Sequence, residues 1–222
     1  MITAVHRSTI FKSSAFADSF IATMQQRYAV DFNRIPGQDA AQLKKKFDHL
    51  EPFQPIDGTI NQHAVLGFNA ESKKEYIETF PQRVIYFFNQ LGIQELYLLQ
   101  FTNTNLVKDF PFQNFHNRNS FKRLAANNGN RRGYLLPVSA LATVFPLFFF
   151  SGVYDLPVIF LLTATGSVPI AVQLCDDGNL HINFQERYSE DIRAAATEAG
   201  FEIGDLEICS LYSVHYLDKK KV

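Results

Sequence analysis

The chain has 222 residues, of which 46% are hydrophobic and 19% charged, so the composition predicts a sizeable core and excludes wholesale disorder. The formal net charge is −1 at pH 7, which indicates neither a strongly acidic nor a strongly basic partner. Aromatic residues are unevenly represented, because 22 Phe and 9 Tyr occur without any Trp.

The first half of the chain shows helical spacing of apolar residues three times. The predicted helices run from Ser13 or Ser14 to about Tyr28, from about Asp39 to Leu50, and from Glu71 to Leu91. Pro81 is expected to kink the third helix or divide it in two. Two strands are predicted in the same half, over Ala64–Phe68 and Ile93–Phe101.

The second half is predicted to consist mainly of strands. The candidate strands are Tyr134–Leu136, Val144–Phe150, Val158–Thr163, Pro169–Cys175, Leu180–Phe184 and Leu206–Leu217. The run Asp176-Asp177-Gly178-Asn179 predicts a hairpin turn between two of these strands. Helices are expected near Ser120–Ala126 and from about Tyr188 to Ala199, the second with Ser189 as its N-cap.

These elements favour an α+β fold, in which N-terminal helices pack on one face of a mainly antiparallel sheet contributed largely by residues 93–217. We expect one domain over residues 1–222. A subdivision near residues 103–132 would separate a helical part, residues 1–102, from a sheet-rich part, residues 133–222.

The sequence indicates a cytoplasmic protein that does not enter a membrane. His6, Arg7 and Lys12 interrupt the N-terminal apolar residues, which argues against a secretory signal. Residues 133–175 carry a single charge, on Asp155, but proline and glycine divide them into pieces of strand length. We therefore expect buried sheet there rather than a membrane hairpin.

The cysteines and histidines show no metal-binding spacing, so we expect neither a metal site nor a cofactor. Cys175 and Cys209 are too few for a disulfide framework and lie in apolar runs, as buried small residues do. One disulfide between them stays open if their strands are neighbours. The six histidines form no HxH, HxxxH or HExxH pattern, and His181 is expected to be structural within its strand.

The Asn- and Arg-rich segment 110–133 is the most suggestive feature for ligand binding, because no acidic residue occurs between Asp109 and Asp155. Arginine offers paired donors to phosphate, and phenylalanine rings among basic residues can stack on nucleobases. The alternative is a surface loop that its phenylalanines attach to the core. The candidate ligand- or phosphate-binding residues are Phe115, His116, Arg118, Phe121, Lys122, Arg123, Arg131 and Arg132.

Charge is distributed in blocks along the chain. Residues 1–132 carry 16 basic and 11 acidic side chains, whereas residues 176–222 carry 5 basic and 10 acidic ones. Such blocks favour either a charged binding face or attraction between the two halves.

No catalytic spacing such as G-x-S-x-G occurs, so catalytic residues are unknown and enzymatic activity stays open. The leading prediction is a cytoplasmic, non-enzymatic binding or assembly protein that acts through a protein–protein interface, with a protein partner or by self-association. The alternative is binding, with or without turnover, of a phosphate-rich ligand such as a nucleotide or nucleic acid through segment 110–133.

Overall fold

The computed structural model describes residues 2–32, 47–48, 62–109, 114–125, 133–148, 159–175, 177–213 and 217. These ranges contain eight α-helices and eight strands. The helices are α1 (Arg7–Ser13), α2 (Ala15–Phe32), α3 (Lys73–Gln90), α4 (Leu106–Asp109), α5 (Phe115–Leu124), α6 (Leu141–Phe148), α7 (Ser189–Glu198) and α8 (Glu207–Leu211). The strands are β1 (Thr3–Val5), β2 (Gln62–Gly67), β3 (Glu95–Gln100), β4 (Gly133–Pro137), β5 (Ile159–Thr163), β6 (Ile170–Leu174), β7 (Leu180–Phe184) and β8 (Glu202–Gly204).

The described strands form one sheet in which every neighbouring pair is antiparallel. Their order is β1-β4-β3-β5-β6-β7-β2-β8. The predicted α+β class with an antiparallel sheet is therefore confirmed. Strands β1 to β3 precede residue 103 and β4 to β8 follow residue 132, so both parts of the chain contribute to the sheet. The domain boundaries themselves stay a prediction.

The larger core lies between one face of the sheet and helices α3, α5, α6 and α7. Helix α3 begins where the Ser72 hydroxyl accepts a hydrogen bond from the Glu75 amide at 3.2 Å, a typical N-cap. In this helix, the ring of Phe80 stacks on the ring of Tyr76 and also packs near that of Phe68. Fully burying an aromatic or aliphatic side chain of this size stabilises the fold by about 1.5–3 kcal/mol.

A smaller core lies on the opposite face of the sheet, beneath α1 and α2. Phe20 of α2 meets Phe160 of β5 edge to face, with ring centroids 5.0 Å apart. Phe47 meets Phe101 in a similar way at 5.7 Å. Helices therefore cover both faces of the sheet, whereas the sequence predicted helices on one face. The physical reason is that the central strands are apolar on both faces and both must be kept from water.

Most predicted strands are confirmed within one or two residues, including β2 to β7. The hairpin turn between β6 and β7 is confirmed as well. The Gly178 amide donates to the Cys175 carbonyl at 2.9 Å, and the Cys175 amide donates to the Asn179 carbonyl at 2.9 Å. Gly178 has φ of +89°, a conformation that glycine adopts without steric cost.

The predicted strand over Val144–Phe150 is wrong, because residues 141–148 form helix α6. The buried side chains of this helix are Leu141, Val144, Phe145 and Phe148. This i, i+3, i+4, i+7 pattern is typical of a helix with one buried face. It was not recognised in the sequence because the neighbouring phenylalanines make the whole run apolar.

The predicted long strand over Leu206–Leu217 is also wrong. The strand in this region is β8, Glu202–Gly204, which ends before Leu206 and pairs with β2 on the side away from β7, and the chain then turns into the short helix α8. Ile208 is the buried residue of this helix at 9% exposure, while Leu206 and Leu211 are exposed. In this run of apolar residues, the side chains are buried on one side only and not at every second position, which is typical of a helix rather than of a strand.

Three other predictions differ in detail or lie outside the described residues. Helix α3 continues through Pro81, because proline removes only one backbone donor and the helix is anchored by the buried side chains of Phe80 before it and Val84 after it. The short helix expected near Ser120–Ala126 begins earlier, at Phe115. The predicted helix over residues 39–50 lies outside the described part except at residues 47 and 48. Among the described helices, none combines the length and apolar character needed to cross a bilayer.

Candidate metal centre

Three side chains from separate parts of the sequence lie close together at one end of the sheet. They are Cys175, which follows β6, His181 of β7, and Cys209 of α8. One ligand atom from each residue lies within 4.8 Å of the others. Both cysteines are free thiols, and all three residues are partly exposed to solvent.

The β6–β7 hairpin positions Cys175 beside His181. Gln173 of β6 is paired with His181 of β7, and paired residues project their side chains to the same face of a sheet. Cys175 lies two residues beyond Gln173, and the tight turn brings the chain back towards it. The buried side of the turn is held by the Tyr76 hydroxyl, which donates a hydrogen bond to the Gly178 carbonyl.

Helix α8 brings Cys209 over the same face. Glycine at position 67 of β2 allows the close approach, because a Cβ there would lie 2.7 Å from Ile208 Cγ2 and 3.0 Å from Tyr212 Cδ2. The Asn179 side chain donates to the Cys209 carbonyl at 3.4 Å, which links α8 to the hairpin turn. The Cys209 sulfur therefore lies 3.0 Å from His181 Nε2.

Polar groups surround the three ligand atoms. The Nδ1 atom of His181 lies 3.3 Å from Nε2 of His63 on the neighbouring strand β2. The carboxylate of Asp177 lies 4.0 Å from the Cys175 sulfur. Its other oxygen accepts a hydrogen bond of 2.6 Å from the Ser213 hydroxyl. These contacts orient the imidazole and place a negative charge beside the sulfurs.

Burial keeps the cluster neutral in the absence of a cation. It raises the pKa of the Cys175 thiol to about 12 and raises the pKa of the Cys209 thiol. Burial is the main cause that lowers the pKa of His181. The charge that neighbouring His63 carries when protonated lowers this pKa further, while the charge of Asp177 raises it. Burial also lowers the pKa of His63. A neutral imidazole is the form that ligates metals, and a bound cation deprotonates a ligating thiol.

The donor set is chemically soft. Two sulfurs and one imidazole nitrogen suit Zn²⁺ and Cu⁺, whereas Mg²⁺ and Ca²⁺ prefer oxygen ligands. Cys₂His is an established zinc donor set that leaves the fourth tetrahedral position to another ligand. The arrangement is therefore that of a three-coordinate site for a thiophilic cation.

The residues predicted to bind phosphate lie elsewhere, on helix α5. Asn114 caps this helix by accepting a hydrogen bond from the Asn117 amide at 2.8 Å. Phe115, His116, Arg118, Lys122 and Arg123 are exposed, and the Arg118 Nε donates to the Val107 carbonyl at 2.9 Å. Arg131 and Arg132 lie outside the described residues.

Phe121 differs from the other predicted site residues because its side chain is fully buried. Its ring packs against those of Tyr134 and Phe148, with centroids 5.2 and 5.1 Å away. Phosphate binding by this segment stays a prediction, and so does the protein interface. Among the described residues, the exposed large apolar side chains are Tyr86, Phe115, Leu206 and Leu211.

One sequence signal for the metal cluster was present. A cysteine directly before a strong hairpin turn and a histidine two residues after it are brought to one face by the strand period. Cys209 carried no such signal, because the segment around it was predicted as a strand rather than as a helix crossing the sheet.

Comparisons with protein-family models, with curated proteins and with solved structures found no match to this chain.

Proposed function

We propose that this protein binds a thiophilic divalent cation, Zn²⁺, through Cys175, His181 and Cys209. The observation that supports the proposal is the convergence of three ligand atoms, from the hairpin turn after β6, from β7 and from α8, within 4.8 Å of one another. A tetrahedral zinc ion has bonds of about 2.3 Å to sulfur and about 2.0 Å to nitrogen. Its ligands are therefore separated by distances similar to those in this cluster.

The choice of zinc follows from the ligands and from the groups around them. Two thiolates balance the charge of a divalent cation, and the Asp177 carboxylate beside Cys175 adds a further negative charge. A cation bound at His181 Nε2 requires the proton on Nδ1, where His63 Nε2 lies in hydrogen-bonding distance. Zinc-ligating histidines almost always have such a partner on their second nitrogen.

Metal titration of the reduced protein tests the proposal. We expect the metal-free protein to bind Zn²⁺ in equimolar amount in competition with a chromogenic chelator. Co²⁺ in place of Zn²⁺ should give the near-ultraviolet charge-transfer absorption of cobalt–thiolate bonds. The variants Cys175→Ser, Cys209→Ser and His181→Gln should each weaken zinc binding, and either serine variant should reduce the cobalt–thiolate absorption.

The matched control is His116→Gln, because His116 is an exposed histidine on α5. This variant should bind zinc as the wild type does, and circular dichroism should show that all four variants retain the native secondary structure. Wild-type protein without equimolar zinc binding would refute the proposal. So would folded Cys175 and Cys209 variants that bind zinc as tightly as the wild type.

A further inference from the structure

We infer that Cys175 and Cys209 form a reversible disulfide within one chain, and that this bond closes the site to metal. The disulfide depends only on the two thiols, whereas its effect on metal rests on the proposed function. These two residues are all the cysteine that the chain contains. The fold brings both of their sulfurs into one cluster from positions 34 residues apart, at most 4.8 Å from each other.

The distance between the sulfurs is compatible with bond formation after a small movement. A disulfide requires a sulfur–sulfur distance of about 2.05 Å, so the two atoms must approach by less than 3 Å. Cys209 lies on a helix of five residues, and Cys175 lies outside the strand ladder at the hairpin turn. Neither sulfur is held in the middle of a long element, so side-chain rotation and a shift of α8 bring them together.

The reaction requires an oxidant, which we assign to the class of small-molecule disulfides. The Cys209 sulfur attacks one sulfur of the oxidant, breaking its S–S bond and releasing one small thiol. Cys175 then attacks the Cys209 sulfur of this mixed disulfide and releases the second small thiol. The two protein thiols are oxidised, the oxidant is reduced, and the two thiol protons end on the released thiols.

The neighbouring groups favour Cys209 as the first nucleophile. His181 Nε2 lies 3.0 Å from its sulfur and can carry the thiol proton during the attack. The Cys175 sulfur lies 4.0 Å from the Asp177 carboxylate instead, and a carboxylate is a weaker base for a thiol proton than an imidazole. Cys175 is therefore the resolving cysteine.

Disulfide formation and metal binding exclude each other because they use the same sulfur atoms. A disulfide leaves His181 as the single remaining ligand of the three. A bound cation, in turn, engages both thiolates and protects them from the oxidant. The redox state of the surroundings thus decides whether the site is available to metal.

The experiment treats reduced, metal-free wild-type protein with oxidised glutathione, followed by denaturation and alkylation. We expect the loss of both free thiols and an intact mass lower by two hydrogens, with no retained glutathione. Non-reducing electrophoresis should show a monomer. The oxidised protein should give no cobalt–thiolate absorption, and dithiothreitol should restore it. Zinc added before the oxidant should slow the loss of thiols.

Two variants test the assigned roles. Cys175→Ser should accumulate a stable glutathione adduct at Cys209, whereas Cys209→Ser should react more slowly. The inference is overturned if the wild-type thiols stay free, if glutathione adducts persist, or if the bond joins two chains. Zinc binding by the reduced protein without disulfide formation would overturn this inference alone. A disulfide in a protein that binds no zinc when reduced would overturn the proposed function and the effect on metal.

Discussion

His63 Nε2 lies 3.3 Å from His181 Nδ1, so two neighbouring strands, β2 and β7, each contribute an imidazole to one hydrogen-bonded pair. The arrangement leaves the Nε2 atom of His181 facing the Cys209 sulfur. His63 therefore acts on the candidate metal centre through His181, as a positioning residue rather than as a ligand.

Replacing His63 tests this role. His63→Ala should weaken zinc binding about tenfold, the lower end of the effect typical for such partners of metal-ligating histidines. His63→Gln should restore part of the affinity, because its side-chain oxygen can accept the Nδ1 proton of His181. Competition titration with a chromogenic chelator measures both variants. Equal zinc affinities for the alanine variant and the wild type would show that His63 plays no part in metal binding.

Gly67 is expected to control the position of helix α8. A methyl group at this position would lie 2.7 Å from Ile208 Cγ2, so Gly67→Ala should displace the helix and move Cys209 away from His181. We expect weaker zinc binding together with a loss of about 1–3 kcal/mol in the free energy of unfolding, as in other overpacked sites.

Gly133→Ala is the matched control for Gly67→Ala. Its added methyl would lie 2.5 Å from Ile10 Cδ1, beside strands β1 and β3 rather than beside α8. This variant should lose stability without any change in zinc affinity. Urea unfolding and zinc titration of the two variants compare both properties, and a similar loss of affinity in both would contradict the role of Gly67.

Arg7 and Asp48 form an ion pair that is 3% and 9% exposed, with 2.6 Å between Nη2 and Oδ2. Arg7 also donates to the Gln100 carbonyl, and Gln25 donates to the same carboxylate. Asp48→Ala leaves the buried guanidinium without its counter-charge and should cost about 3–5 kcal/mol in the free energy of unfolding.

The exposed pair of Lys74 and Glu78 serves as the comparison. Its side chains are 84% and 65% exposed, so Lys74→Ala should change the free energy of unfolding by less than about 0.5 kcal/mol. Urea unfolding at neutral pH measures both variants. A small effect of Asp48→Ala would show that Arg7 reaches solvent or another acceptor.

Helix α5 offers a test of which aromatic residues are structural. Phe121 is fully buried and Phe115 is 75% exposed. Phe121→Ala should cost about 3–5 kcal/mol in the free energy of unfolding, whereas Phe115→Ala should change it by about 0.5 kcal/mol or less. Thermal or urea unfolding separates the two. Equal effects would mean that the Phe121 ring lies outside the core.

Tyr134 is expected to make the protein less stable in alkali. Burial raises its pKa to about 12, whereas a tyrosine in the unfolded chain ionises near pH 10. Between these values the unfolded state has lost the phenolic proton and the folded state retains it, so unfolding becomes more favourable as pH rises. The stability that Tyr134 contributes is complete below about pH 10 and is lost towards about pH 12.

The variant Tyr134→Phe keeps the ring and lacks the ionisable hydroxyl. Its free energy of unfolding should fall less steeply than that of the wild type above about pH 10. Part of the decrease should remain, because burial also raises the pKa of Tyr76. Urea unfolding over a series of alkaline pH values gives the two slopes, and parallel decreases would rule out a contribution from Tyr134.

Local patterns in the sequence were sufficient for much of the fold. The alternation of Leu180–Phe184 and the Asp-Gly turn before it predicted strand β7 and its hairpin, because strand period and turn chemistry depend on neighbouring residues. The helical spacing of apolar residues in α3 was recognised for the same reason. The segments at Val144–Phe150 and Leu206–Leu217 failed because continuous apolar runs obscure the difference between the two periods.

The sequence by itself determined the α+β class and the hairpin. The hairpin also places Cys175 near His181, a consequence that the sequence prediction did not draw. The tertiary structure decided that Cys209 joins them, since this depends on α8 crossing β2 at Gly67, which lies 142 positions before Cys209 in the chain. It also separated Phe121, enclosed by Tyr134 and Phe148, from the exposed basic residues of α5. Contacts between distant segments depend on the packing of whole elements, which no local spacing of residues records.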